Sequence, residues 1–212
     1  FMQAAVKEIY GISPQVCYPG VDTEVFHPIP IPVENFVLSV GAIHSAKGFD
    51  SIIQSLRLIN PEQRPALRIV GNMTDKSESK RLQAIGNECG VTLQIEVNLS
   101  QEQLVERYNQ CRFFVYAPHN EPFGLTPLEA MACGKTVVGV NEGGVRETIV
   151  DGVTGRLVPR DPEQIAQAIE WFLNHPDERH EYEKRAYQNV QQNWTWFEAM
   201  DRIEMHLHAV AR

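Results

Sequence analysis

Long hydrophobic runs are missing from this chain. Nowhere do about 20 apolar residues follow one another, so the sequence offers no membrane-spanning helix. Cysteine is sparse: Cys17, Cys89, Cys111 and Cys133 lie far apart, with no C-x-x-C pair and no histidine at zinc spacing. That excludes a disulfide scaffold or a zinc ribbon, and these cysteines read as buried free thiols of a reducing compartment. Excess positive charge is also absent. Lys and Arg number 19 against 27 Asp and Glu, a net charge of −8. Such a chain is a poor candidate for wrapping nucleic acid or lying on an anionic membrane. A phosphate can still bind where positive potential is local. No Asp-x-Asp pair occurs, so nothing calls for a bound divalent metal. Internal repeats and low-complexity segments are absent, and no signal peptide is visible. The opening Phe1-Met2-Gln3-Ala4 reads as the interior of a helix, as in a piece of a longer protein.

What is present is enough apolar residue, 43% of 212, to bury a core. Short apolar runs alternate with helical patterns. The runs are Phe36–Val40, Leu67–Val70, Leu93–Val97, Phe113–Tyr116, Thr136–Val140 and the weaker Leu157-Val158. They read as strands buried on both faces of a parallel sheet. Between them, Ile52, Ile53, Leu56 and Ile59 mark one helix, and Leu82 and Ile85 another. Ser100–Gln103 opens a third with a capping box, ahead of Leu104, Val105 and Tyr108. The expectation is an α/β fold: a Rossmann-like, doubly wound sheet of about six parallel strands. The tail changes character. Asp161 caps a helix with an Ile165, Ala168, Ile169, Phe172, Leu173 stripe, Pro176 starts the next, and Thr195 caps a last one. Three parts follow: an entry or linker segment over 1–34, a sheet domain over 35–194, and a C-terminal helix over 195–212.

Sheets of this kind bind ligands beyond the carboxyl ends of their strands. The richest loop follows Tyr116. It carries Glu121 and Glu129 seven residues apart, Phe123-Gly124-Leu125 between them, and then Thr126-Pro127. Gly124 lets a ligand approach the backbone closely. Thr126 reads as an N-cap with Pro127 at the first helical position, and the helix N-terminus suits an anion. Two readings of Glu129 stand side by side. It completes a capping box back to the Thr126 N–H, or it contacts a ligand. Glu121, flanked by Pro118 and Pro122, is either a solvated loop charge or a functional carboxylate. Lys47 follows the strand-ending Gly41, where phosphates dock, and its alternative is a solvated turn. His119 is a sugar contact, a proton donor, or simply solvated.

The segment from Glu121 to Gly134 resembles the Glu-x7-Glu motif of retaining glycosyltransferases with the GT-B fold, most closely family 4. Glu121, Phe123, Gly124, Leu125, Leu128, Glu129, Ala130, Met131, Ala132 and Gly134 all fit its form, E-x-F-G-L-x-x-L-E-A-M-A-x-G. Tyr18–Phe26, Ser39–Gly48 and Gly143–Gly155 also resemble family segments in order and spacing. The resemblance implies one half of a GT-B fold, the half that binds a nucleotide-sugar donor. On it, Lys47 contacts the donor diphosphate, Glu129 binds the ribose hydroxyls, and Glu121 orients the sugar as the catalytic residue. Backbone amides of Phe123, Gly124 and Leu125, with Thr126, face sugar and phosphates. Gly41 belongs to the phosphate loop, and Gly71, Asn72, Val97 and Asn98 border the base. No metal or other cofactor is implied. The acceptor belongs to an N-terminal domain outside this sequence, without which the chain transfers nothing. A cytoplasmic location follows, with peripheral attachment at the cytoplasmic membrane face a property of the longer protein. Two positions depart from the pattern. The family's usual Arg after Gly41 is Ala42, with His44 or Arg146 the candidate replacements, and Asn98 stands where the family tends to have Gly. Other readings are a non-catalytic donor-binding scaffold and a related GT-B epimerase or phosphorylase.

Overall fold

A computed structural model describes residues 1–72 and 76–210. Six parallel strands form one sheet: β1 (Phe36–Val40), β2 (Ala66–Gly71), β3 (Leu93–Val97), β4 (Phe114–Tyr116), β5 (Val137–Val140) and β6 (Gly155–Val158). Their order is β3-β2-β1-β4-β5-β6, and every pairing is parallel. Nine helices accompany them among the described residues: α1 (Met2–Tyr10), α2 (Phe49–Leu58), α3 (Lys76–Cys89), α4 (Gln101–Gln110), α5 (Leu125–Ala132), α6 (Val145–Thr148), α7 (Pro162–Asn174), α8 (Pro176–Asn193) and α9 (Trp196–Val210). The expected α/β sheet, its strand number and the C-terminal helices are all present.

Alternation along the strands divides the core in two. Val37, Leu67, Ile69, Phe113, Val115, Val138 and Val140 face one side, where Ile52, Ile53 and Leu56 of α2 meet Ile165, Ile169 and Phe172 of α7. Phe36, Leu38, Phe114, Tyr116 and Val137 face the other, against Val105 and Tyr108 of α4, Leu128 and Met131 of α5, and Val190 of α8. The expected cap at Ser100 forms a reciprocal capping box with Gln103, and Asp161 accepts from the Gln164 N–H.

Three expectations are corrected. β3 is an edge strand and is not buried on both faces; Leu93, Ile95 and Glu96 are half-buried, and Val97 is 40% exposed. The cysteines are free, but Cys17 is exposed and Cys89 half-buried; only Cys111 and Cys133 lie in the interior. The helix after β4 begins at Leu125, with Gly124 at the cap position at φ 99°, ψ 65°, so Thr126 is not the N-cap.

The order of the sheet reverses between β1 and β4, where the chain leaves β1 for one side of the sheet and returns to build the other. The crevice beyond the carboxyl ends of these two strands is where such sheets bind ligands. The entry and exit segments meet beside it. The Val21 N–H donates to the Trp194 carbonyl at 2.7 Å, and Val21 bridges Thr195. α9 presents a stripe of Trp196, Met200, Ile203 and Leu207 to solvent, and Phe197 is 71% exposed. α1 buries no residue, and Ile9 and Tyr10 are also exposed. Residues 211–212 of the C-terminal segment lie outside the described residues.

Candidate functional site

Two loops build the crevice. After β1, Gly41 returns its N–H to the Val70 carbonyl at 2.9 Å, and Ile43 buries. Gly41 and Gly71 lie backbone to backbone; a Cβ on Gly71 would stand 2.7 Å from the Gly41 oxygen. His44 Nδ1 then accepts from the Ala46 N–H at 3.2 Å and caps the single 3₁₀ turn Ser45–Lys47. Its Nδ1 is thus used locally, as the cap of that turn.

After β4, the chain runs Ala117–Gly124 into α5. The His119 N–H donates to the Ala46 carbonyl at 2.8 Å, tying the two loops together. Their side chains then meet: Lys47 Nζ lies 2.6 Å from Glu121 Oε2, with both side chains about a quarter exposed at 27% and 20%. The two side chains are thus paired with each other and partly buried, not freely solvated. Gly143 and Gly144 let the loop after β5 pack on the same segment; a Cβ on Gly144 would sit 2.1 Å from the Pro122 oxygen. Arg146 is exposed and donates to the Gly143 carbonyl at 3.2 Å, outside the cavity wall.

Glu129 is not a capping-box residue. Its Oε2 accepts from the hydroxyl of Tyr108, a fully buried side chain of α4, at 2.7 Å. Burial raises the Glu129 carboxyl above its ordinary range, and the Tyr108 hydrogen bond partly offsets this. Burial, and then the charge of Glu129, push the Tyr108 phenol well up, so it stays a donor. Glu129 opens onto a cavity of about 240 Å³. Gly41, Gly71, Asn72 and Thr126 of the expected donor set line it, together with Leu99 and Leu104, which no sequence motif singles out. Val97 and Asn98 stand next to this wall and not in it. The Asn98 N–H donates to the Gly71 carbonyl at 3.1 Å, and Asn98 has φ 56°, a left-handed conformation that Asn tolerates and Gly prefers. Phe123 turns its ring away from the cavity, stacking on Tyr18 and packing on Trp194 with centroids 5.6 Å apart in each case. Only its backbone and those of Gly124 and Leu125 are left to face a ligand, at the N-terminus of α5, where unpaired N–H groups and the helix dipole favour an anion.

A buried ionised carboxylate costs stability, which yields a prediction. Because the folded-state pKa of Glu129 is raised, the folded chain holds its proton more firmly than the unfolded chain. Stability from this group is full below the unfolded pKa and falls as pH rises through the raised folded value. Glu129→Gln therefore raises the melting temperature at neutral pH by about 2–4 °C, the shift that ~1 kcal/mol gives in a domain of this size. The gain disappears at pH values where Glu129 is already protonated. Thermal melts of both forms across pH measure it, and a Gln variant less stable than wild type at neutral pH contradicts it.

A doubly wound parallel sheet with an acidic, glycine-rich helix entry at its switch point defines a Rossmann-like α/β protein. The chain belongs to the glycosyl transferases group 1 family, matched over residues 23–189. D-inositol 3-phosphate glycosyltransferase of Acidothermus cellulolyticus is 31% identical over 190 residues, 79% of this chain and 42% of that protein. Human alpha-1,3/1,6-mannosyltransferase ALG2 is 28% identical over 193 residues, covering 80% of this chain and 47% of that one. The chain thus spans about half or less of the length of these relatives. Anabaena Alr3699/HepE, solved in complex with UDP-glucose, has the same fold with a TM-score of 0.88, at 21% identity over 98% of this chain and 61% of that one. The solved C-terminal domain of a group 1 glycosyl transferase from Francisella tularensis aligns with a TM-score of 0.72 at 26% identity, over 83% of this chain and 99% of that domain.

Proposed function

We propose that this chain is the donor-binding half of a retaining hexosyltransferase, holding a nucleoside-diphosphate sugar in the crevice between β1 and β4. The observation that carries the reading is that Glu121, paired with Lys47, and Glu129, opening onto the cavity, flank the entry of α5 at the switch point, with Gly41 lining the cavity and lying against the Lys47 side chain. Glu129, oriented by Tyr108, accepts from the ribose hydroxyls inside the cavity. Lys47 and the first amides of α5 take the diphosphate, whose negative charge grows as the sugar leaves. Glu121 takes the sugar hydroxyls. Gly41, Gly71, Asn72 and Thr126 frame the nucleoside, with Val97 and Asn98 beside them. The UDP-glucose held by the HepE neighbour supports a donor of this class. No divalent ion has a role in this reading.

The acceptor belongs to a preceding domain, and the exposed stripes of α9 and α1 are the surfaces suited to meet it. Transfer proceeds by front-side attack in the cleft between the halves, so the 212-residue chain alone binds donor weakly and transfers nothing. The protein works in the cytoplasm, at the membrane face where its acceptor requires it. Isothermal titration of the chain with UDP, GDP, ADP, their glucose and mannose conjugates and free phosphate tests the site. One nucleoside diphosphate binds, and Lys47→Ala weakens it by about 10-fold or more, the loss of a charge-assisted contact worth ~1.5–3 kcal/mol. Binding untouched by Lys47→Ala removes Lys47 from the site. The absent arginine at Ala42 favours a second reading, a scaffold that binds donor without turnover. Donor binding with no transfer in the two-domain protein would establish it.

A further inference from the structure

Arg160 lies outside the cavity and outside the sequence signature that marks the site. It stands in the loop between β6 and α7, yet its guanidinium makes four hydrogen bonds to two other loops. Nε and Nη2 hold the two oxygens of Glu142 at 2.9 and 2.8 Å. Nη1 donates to the Ala117 carbonyl at 2.7 Å, and Nη2 to the Pro118 carbonyl at 2.6 Å. The loops after β4, β5 and β6 are thus fastened by one side chain, itself 18% exposed.

The same Ala117 oxygen is the contact surface for the other half of the site. Gly48, next to Lys47, sits against it so closely that a Cβ would fall 1.9 Å from that oxygen and 3.0 Å from Arg160 Nη1. Two residues further on, His119 donates to Ala46; two more bring Glu121 onto Lys47. Arg160, Ala117 and Gly48 are therefore in mutual contact, one residue from Lys47 and four from Glu121 along their loops. Glu142 is held below the usual carboxylate range, first by its hydrogen bonds to Arg160. It stays ionised as the anchor of the clamp.

We infer that Arg160 is a positioning residue of the donor site: it sets the loop after β4 against the loop after β1, so that Glu121 and Lys47 meet. The inference rests on the reading of those two residues as donor contacts. A guanidinium suits the task because its planar fork carries five donors, enough for a bidentate carboxylate and two carbonyls at once. A lysine ammonium is a point donor and cannot reach all four acceptors in that plane.

Arg160→Ala and Arg160→Lys in the 212-residue chain test the inference with two readouts, taken well below the melting temperature of each variant. The first is hydrogen exchange of the His119 amide in the unliganded chain, with amides of β1 as internal control. Exchange at His119 is expected to speed by about 10-fold or more in Arg160→Ala while β1 is unchanged, because local opening is then decoupled from global unfolding. The second is affinity for the nucleoside-diphosphate sugar that the wild-type chain binds, a ligand that needs Lys47 for its diphosphate and Glu121 for its sugar in register. It falls about tenfold, ~1.4 kcal/mol, and Lys restores little of it. Added to Lys47→Ala, Arg160→Ala costs nothing further, because it acts through the same contact. Unchanged exchange at His119 overturns the inference. So does faster exchange with unchanged affinity, or fully additive losses with Lys47→Ala; either shows that Arg160 serves the fold alone. Should the wild-type chain bind no nucleoside-diphosphate sugar, the donor reading fails by itself, and the exchange result still decides whether Arg160 holds the loop.

Discussion

Glu121→Gln lowers sugar transfer by about 10²- to 10³-fold in the protein that includes its acceptor-binding half, the range seen when one electrostatic contact to a transition state is lost. The substitution keeps the shape of the side chain and removes its charge. Lys47 Nζ, 2.6 Å from the carboxylate, loses its counter-ion and is left free for phosphate. Affinity for the nucleoside diphosphate consequently holds or rises while turnover collapses. That split separates Glu121 from Lys47, whose loss weakens binding. Steady-state transfer rates beside titrations of the same variant measure both quantities. Near-normal turnover removes Glu121 from the mechanism, and a loss of affinity with unchanged turnover assigns it to binding only.

Gly48→Ala destabilises the fold through two separate penalties. Gly48 has φ 64°, a left-handed conformation that costs a non-glycine residue about 1–2 kcal/mol. The added carbon would also stand 1.9 Å from the Ala117 carbonyl oxygen, backbone against backbone, with no flexible side chain to yield. Overpacking of that kind adds ~1–3 kcal/mol, so the total reaches about 2–5 kcal/mol, a large share of the ~5–15 kcal/mol that holds a domain together. Gly152 supplies the control. It has φ 73° but nothing within 4 Å of its would-be Cβ, so Gly152→Ala shows the conformational cost alone. Denaturant melts of both variants test this. Equal losses would mean that the loops around Ala117 part easily and that the close approach is not a constraint.

The sheet is legible in the sequence because each strand is short, apolar and followed by a helical period; β1 and β3 have the predicted ends. The exposure of β3 has a signal that reading it as an apolar run passes over: Gln94 and Glu96 alternate with Leu93, Ile95 and Val97, the pattern of a half-buried strand. Only topology places β3 last in the order. Thr126 misleads for a different reason. Thr-Pro-Leu-Glu satisfies both the capping-box pattern and the preference for proline at the first helical position. Gly124, at φ 99°, nevertheless starts the helix earlier, and the Glu129 carboxylate goes to Tyr108, which lies 21 residues back and reaches it only through the fold. Asn98 is the converse case. It stands where the family tends to have Gly, and its φ of 56° shows why the position favours residues that tolerate a left-handed backbone. Arg160 cannot be found by pattern at all, since its partners are 18, 42 and 43 residues away and two of them are carbonyls.

The crevice carries its own surrogate ligand. With Lys47 and Glu121 paired, a bare anion that draws the lysine away leaves a half-buried carboxylate uncompensated, and a neutral sugar that engages the carboxylate leaves the lysine so. Only a molecule bringing phosphate oxygens and hydroxyl donors in one rigid piece replaces both halves of the pair together. On the proposed donor reading the contact is a two-key lock: inorganic phosphate or free hexose satisfies one half of the pair, and the intact conjugate satisfies both.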